Sequence, residues 1–179
     1  MADSDISAGR LLLLEYEQIK DEQRSRITFR DNTLYATLAT MAAVVAAVLQ
    51  SGGRPALLLL LPPVALVLGW TYLVNDIKVS AIGHYIRGEL SPRLTTMVGD
   101  GTAVFGWERA HRDDSRRVSR KVLQLAVELT MFCGAPVIGL VVFWANADAG
   151  PSLTAVSIVE TVLLGVLAVQ LVLYADWSR

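Results

Sequence analysis

The chain has 179 residues, of which 53% are hydrophobic and 18% are charged. This charged fraction is below the roughly 25% that is typical of soluble domains, which argues against a soluble globular protein. The formal net charge is −1, so the position of the charges along the chain is more informative than their sum.

The apolar residues are concentrated in four long stretches. Two of these contain no charged residue and two contain one glutamate each: 32–53, 55–75, 122–147 with Glu128, and 149–175 with Glu160. A helix rises about 1.5 Å per residue, so roughly 20 residues cross the ~30 Å hydrocarbon core of a bilayer. Four helices this long inside a soluble protein would need a much larger polar shell. We therefore predict an all-α, polytopic membrane helical bundle with four transmembrane helices and cytoplasmic helical extensions.

The charges divide this predicted architecture into segments. In order, they are a cytoplasmic N-terminal helix at 1–32, a transmembrane hairpin at 33–75 (spans about 33–50 and 55–75), a cytoplasmic helical segment at 76–121, a second transmembrane hairpin at 122–175 (spans about 122–146 and 153–175) and a cytoplasmic tail at 176–179. Fifteen of the 16 Lys and Arg residues lie on one side of the spans, which we call the basic side. The positive-inside rule assigns this side to the cytoplasm, so both termini are expected there, in a plasma (inner) membrane protein. Aromatic residues are interpreted as anchors at the two membrane interfaces. They are Tyr35, Trp70, Tyr72, Tyr174 and Trp177 at the inner interface, and Phe143 and Trp144 at the outer one.

The helices on the basic side carry packing faces. One face of the N-terminal helix repeats at alternating intervals of four and three residues, which is typical of a helix that packs against another helix: Leu12, Tyr16, Ile19, Gln23 and Arg26. The helix of the second span is predicted to continue past Asn75 and to end before Pro92. One face of this continuation is apolar: Val79, Ile82, Ile86 and Leu90.

Proline and small residues predict irregular, closely packed spans. Because proline lacks an N–H and clashes with the carbonyl four residues back, we predict helix kinks at Pro62, Pro63 and Pro136. Small residues at four-residue intervals let helices approach closely in lipid, which favours a homo-oligomer. The first span carries such a stripe: Ala39, Ala43 and Ala47.

Glu160, Glu128 and Gln170 are the candidate residues of an ion or proton pathway. A charged side chain near the centre of a span costs about 2.5–3.5 kcal/mol on insertion scales, and such residues normally face the bundle interior or a water-filled path. By residue count, Glu128 and Gln170 lie at similar depths and can hydrogen-bond, while Glu160 lies level with the predicted kink in span two. The alternative is that each glutamate is a structural hydrogen-bonding group between helices.

Four basic residues lie beside the third span on its basic side: Arg116, Arg117, Arg120 and Lys121. Each such charge near anionic headgroups contributes about 1 kcal/mol. The simple interpretation is that they determine topology, and the alternative is that they contact an anionic lipid.

No enzyme motif is present in the sequence. His111-Arg112-Asp113 matches a tripeptide of kinase catalytic loops, but the Gly-rich loop and the metal-binding elements that give it a role are missing. His84 is isolated and the single cysteine, Cys133, lies inside a span, so neither a metal site nor a disulfide within the chain is expected. We expect no catalytic residue, no cofactor and no nucleic-acid partner.

Several short segments resemble small four-span integral membrane proteins of actinobacterial type: EYEQ at 15–18, RDN at 30–32, WTYLVND at 70–76 and FGWE at 105–108. This resemblance covers most of the chain and implies no particular activity. The layout of paired spans flanked by helices is also similar to that of SLATT-type membrane effectors, a likeness that implies pore formation.

The leading functional prediction is an oligomeric ion channel or pore with a cytoplasmic helical gating region, because four spans rarely enclose a path alone. Two alternatives remain open: a non-conducting membrane scaffold that docks a cytoplasmic partner, and a proton-coupled small transporter that uses Glu160. The expected partners are the lipid bilayer, further copies of the chain and anionic lipid.

Cysteine labelling in intact cells tests the topology. Membrane-impermeant thiol reagents are expected to modify the variants Gly53→Cys and Ala149→Cys, which lie in the predicted outer turns, but not Gly101→Cys on the basic side. Labelling of Gly101→Cys would contradict the four-span arrangement with both ends inside.

Overall fold

The computed structural model describes residues 8–98, 117–146 and 150–175. Every secondary-structure element in these ranges is helical, which confirms the all-α prediction. In chain order the elements are α1 (Ala8–Gln50), a 3₁₀ helix (Pro55–Leu60), α2 (Leu61–Tyr85), a first π turn (Ile86–Leu90), α3 (Ser91–Val98), α4 (Arg117–Leu129), a second π turn (Thr130–Gly134), α5 (Ala135–Asn146) and α6 (Pro151–Tyr174). The predicted tail at 176–179 lies outside the described residues.

Within the described ranges, four helical segments are long and apolar enough to cross a membrane: Ala8–Gln50, Pro55–Met97, Ser119–Asn146 and Pro151–Tyr174. Each covers one of the predicted spans to within a residue. The chain folds as two units. The paired-helix unit holds the described residues of 1–29 and 75–117, and the bundle unit holds those of 30–74 and 118–179.

In the paired-helix unit, the first part of α1 packs against α2, the first π turn and α3. Three buried residues form the core: Ile86, Leu90 and Leu94. Three residues of the predicted stripe on α1 pack against them: Leu12, Tyr16 and Ile19. Farther along α1, the Gln23 amide donates to the carbonyl of Val79 and the Arg26 guanidinium donates to Asn75 Oδ1, each at 3.4 Å. The prediction that this face of α1 packs against another helix is therefore confirmed, and the structure identifies that helix as the continuation of α2 beyond Asn75.

Each π turn ends two residues before a proline, Pro92 or Pro136. In both, the residue just before the proline donates its N–H to the carbonyl five residues back, at Ile86 and at Thr130. This wider turn relieves the clash between the proline ring and the carbonyl four residues back, so the helix continues. The predicted helix end before Pro92 is wrong for this reason, because α3 carries the helix on to Val98.

Pro62 and Pro63 lie in the first turn of α2, directly after the 3₁₀ helix. Proline is tolerated in a first turn because its missing N–H has no helical acceptor there. The N–H of Leu61 donates to the carbonyl of Leu58, so a tighter 3₁₀ bond satisfies a carbonyl that Pro62 leaves without its helical donor. The backbone therefore changes from 3₁₀ to α at these prolines, and a kink angle at this point stays a prediction, as it does at Pro136.

The turn between the first two spans depends on glycine. Gly52 and Gly53 have φ angles of 75° and 83°, in the left-handed region that glycine enters without steric cost. The N–H of Gly53 donates to the carbonyl of Val48 at 2.9 Å, which satisfies a carbonyl at the end of α1.

The core of the bundle unit draws buried residues from α1, the 3₁₀ helix, α2, α5 and α6: Met41, Val44, Leu59, Leu61, Ala65, Leu140, Phe143 and Leu164. Two glycines mark close helix approaches. A Cβ on Gly139 would stand 2.9 Å from Leu61 Cδ1. A Cβ on Gly69 would stand 2.9 Å from Leu167 Cδ2 and 3.1 Å from the Phe132 ring. Glycine at these positions lets the helices pack at these short distances.

Substitution of Gly69 tests this packing. Gly69→Ala is expected to lower the thermal unfolding temperature in detergent by several degrees, because overpacking costs about 1–3 kcal/mol. Gly165→Ala is the matched control, since a Cβ there meets no atom within 4 Å. Circular dichroism on both purified variants provides the measurement, and equal melting of Gly69→Ala and the wild type would show that the close approach is not required.

Candidate functional site

The Glu128 carboxyl is buried within a network of hydrogen bonds. The residue is 8% exposed, and its Oε1 atom accepts the Tyr72 hydroxyl at 2.7 Å and the Gln124 side-chain amide at 2.7 Å. Gln124 also approaches the Tyr72 hydroxyl at 3.5 Å. One carboxyl oxygen therefore has two donors that come from different helices, α2 and α4.

Helix geometry explains how this network is assembled. Gln124 and Glu128 are four residues apart on α4, so their side chains lie on one face. Tyr72 projects from α2 and is only 3% exposed, and its ring packs on Phe132 with a centroid distance of 5.3 Å. The guanidinium of Arg30 on α1 lies over the same tyrosine ring at 5.8 Å, within the range of a cation–π interaction.

A groove of about 370 Å³ opens beside the network. Eight residues line it, from α1, α2 and α4: Arg30, Leu34, Tyr72, Arg120, Leu123, Gln124, Val127 and Glu128. Arg30 and Arg120 lie just on the basic side of the first and third predicted spans, while Val127 and Glu128 lie about 10 Å farther along α4 than Arg120 by residue count. The groove therefore runs from a positively charged end along apolar walls to the hydrogen-bonded carboxyl.

Glu160 lies on the buried face of α6. This face repeats at intervals of three and four residues: Ser157, Glu160, Leu164, Leu167 and Leu171. The Oε2 atom of Glu160 is buried and has no hydrogen-bond partner among the described residues. One turn away, the Ser157 hydroxyl accepts the indole N–H of Trp144 at 2.9 Å and donates to the carbonyl of Thr154 at 2.8 Å, so it is already engaged.

An unpartnered buried carboxyl oxygen is costly. Leaving such a polar atom without a partner costs roughly 1–3 kcal/mol, which is why buried polar groups are nearly always hydrogen-bonded. Three kinds of species could satisfy Glu160 Oε2: a water molecule, a cation, or a polar group from a second copy of the chain.

Packed apolar side chains separate the two glutamates. Phe132 lies one turn beyond Glu128 along the chain and is fully buried. Leu164 and Leu167 lie one and two turns from Glu160 in the direction of the basic side, and each is 2% exposed. Because the side chains of Leu167 and Phe132 both pack directly against Gly69, the interior of the bundle unit is filled at this level.

The structure gives Glu128 partners that residue counting did not identify. Residue counting offered only Gln170 as a partner, whereas the structure shows bonds from Tyr72 and Gln124; Gln170 itself is half-buried on α6. The spacing of four residues from Gln124 to Glu128 is a signal that was present in the sequence. Tyr72 was interpreted as an interface anchor, and its burial corrects that interpretation.

The four basic residues beside the third span have different outcomes. Arg120 lines the groove. Lys121, the next residue in the chain, is half-buried. Arg117 is the first residue of α4, and Arg116 lies outside the described residues. The lipid contact predicted for these residues is therefore best examined at Arg120.

The parts of the chain that the structure describes contain no group of three or more His, Cys, Asp or Glu side chains able to hold a metal ion. No protein-family model, curated protein or solved structure matches the chain.

Removal of the tyrosine hydroxyl tests the Glu128 network. Tyr72→Phe leaves a buried carboxyl oxygen with one donor fewer, so we expect a loss of about 1–3 kcal/mol in stability and a lower unfolding temperature in detergent. Tyr35→Phe is the matched control, because Tyr35 is 69% exposed on α1 and a surface change of this kind stays within about 0.5 kcal/mol. If Tyr72→Phe and Tyr35→Phe unfold at the same temperature, the Tyr72 hydroxyl does not contribute to stability.

Proposed function

We propose that the protein is an oligomeric ion channel or pore in which the Glu160 carboxyl binds the permeating cation or proton. The observation that carries this proposal is the buried Oε2 atom of Glu160, which no described residue satisfies. Carboxylates within membrane spans are costly and normally serve ion or proton paths. A cation or a hydrated proton completes the bonding of this atom without any further protein group.

The packing of the bundle unit supports an oligomer. Its interior is filled by Phe132 and Leu167 between the levels of the two glutamates, so a path through one copy is closed at that level. The predicted stripe of Ala39, Ala43 and Ala47 is exposed on α1, where it is available to a second copy. Small residues on such a face allow close contact between helices in lipid.

Gating is assigned to the paired-helix unit on the basic side. α1 is a single uninterrupted helix from Ala8 to Gln50, and it contributes residues to both units. The second π turn, Thr130–Gly134, lies within the third span, and π turns inside helices are frequent at functional sites.

A membrane scaffold is the second candidate function. It is favoured by three exposed leucines on the part of α1 that we assign to the cytoplasm: Leu11, Leu13 and Leu14, which are 53%, 50% and 48% exposed. Apolar side chains grouped on a water-facing surface are typical of a protein-docking site.

Flux through liposomes tests the proposal. Glu160→Gln keeps the size and hydrogen-bonding capacity of the side chain but removes its charge. Loss of a charged ligand costs about 1.5–3 kcal/mol, so cation or proton flux is expected to fall by roughly tenfold or more, or to change in selectivity. The control is Glu17→Gln, an exposed glutamate on α1, which should conduct as the wild type does.

The outcomes separate the function classes. A mass of several chains in detergent together with flux that depends on Glu160 supports the channel. Equal rate and selectivity of Glu160→Gln and the wild type would remove Glu160 from the path. Transport that requires an imposed proton gradient indicates the proton-coupled transporter, and wild-type vesicles without flux under all these conditions indicate the scaffold.

A further inference from the structure

The groove beside Glu128 has a charged end, apolar walls and a hydrogen-bonded deep end. Arg30 and Arg120 stand at its basic-side end, and the walls along α1 and α4 are Leu34, Leu123 and Val127. Leu123 and Val127 are 66% and 54% exposed, so the groove is open along its side. In a chain that spans a membrane, an apolar groove open at the side faces the acyl chains of one leaflet.

The polar atoms at the deep end of the groove are engaged within the protein. Glu128 Oε1 accepts from both Tyr72 and Gln124, so the deep end does not require a polar ligand. The charged end is held in place, because the Arg30 guanidinium lies over the Tyr72 ring at 5.8 Å and forms an ion pair with Asp31 at 3.4 Å. The groove therefore presents a positioned cation at one end and apolar surface along its length.

We infer that this groove is a binding site for an anionic phospholipid, with the phosphate between Arg30 and Arg120 and one acyl chain along the apolar walls. Arginine is suited to phosphate because its planar guanidinium donates two parallel hydrogen bonds. A free phosphate ion would make no contact with the apolar walls, and a neutral lipid would bring no net negative charge to the two arginines. The inference goes beyond the proposed conduction, since lipid binding is measured without flux.

Titration of the purified full-length protein in detergent, followed by native mass spectrometry, tests the site. Phosphatidylglycerol, phosphatidylcholine and inorganic phosphate are the three probes. We expect phosphatidylglycerol to bind at least tenfold more tightly than phosphatidylcholine. The double variant Arg30→Gln/Arg120→Gln should lose about 30-fold in affinity for phosphatidylglycerol, which is two contributions of about 1 kcal/mol converted at 1.4 kcal/mol per tenfold.

Two further variants keep the test decisive if the double variant does not fold. Arg120 is exposed on α4, and Arg120→Gln alone should weaken binding about fivefold. Val127→Trp fills the groove and should weaken both lipids without a change of charge. The controls are Arg24→Gln, which removes a charge whose side chain is 77% exposed outside the groove, and Val166→Trp on the exposed face of α6.

Three results would overturn the site. Equal affinity for the two lipids would show that the arginines do not select the headgroup. Weakening by Arg24→Gln as strong as that by Arg120→Gln would show a general effect of surface charge. Displacement of the lipid by inorganic phosphate would show a simple anion site in which the acyl chain has no part.

Discussion

A backbone that crosses a bilayer has no water to bond with, so every N–H and C=O must be satisfied inside the protein. The prolines of this chain show how strict that requirement is. Within the predicted spans, the helix widens to a π turn at Pro136, and at Pro62 it begins as a 3₁₀ helix. None of these prolines ends a helix. Phe132, a residue of the second π turn, packs on the Tyr72 ring, whose hydroxyl donates to Glu128.

Buried side-chain oxygens also need hydrogen-bond partners, and the two glutamates within the spans differ in this respect. Glu128 has two donors from neighbouring helices on one oxygen, as expected for a group that holds helices together, which was the structural alternative for this residue. Glu160 has a buried oxygen that no described residue satisfies. The two glutamates look equivalent in the sequence, since each is the single charge of an apolar stretch. Their surroundings make them different, and the proposed ion path therefore depends on Glu160 alone.

Prediction from the sequence succeeded where a pattern repeats along one helix. The lengths of the apolar stretches predict the four spans, and the stripe from Leu12 to Arg26 predicts that α1 packs against another helix, although not which one. It failed where one residue was judged alone, as at Pro92, whose effect depends on whether the preceding turn can widen. Tyr72 and Glu128 are separated by 56 residues, and their contact depends on the rotation of two helices about their axes, which no local pattern specifies.

The filled layer around Gly69 divides the bundle unit into two environments. On the basic side of this layer, the groove ends at the Glu128 carboxyl, whose Oε1 atom already has two donors. Beyond it, Glu160 has an unsatisfied oxygen and no described route toward the groove. Phe132 packs on Tyr72, which lines the groove, and also lies beside Gly69 in the filled layer. It is therefore the side chain through which a ligand in the groove would affect the packing of the layer. If lipid binding in the groove were to affect ion binding at Glu160, Phe132 would need two alternative packing positions. A side chain with a single position cannot couple the two sites, because coupling requires an element with two discrete arrangements.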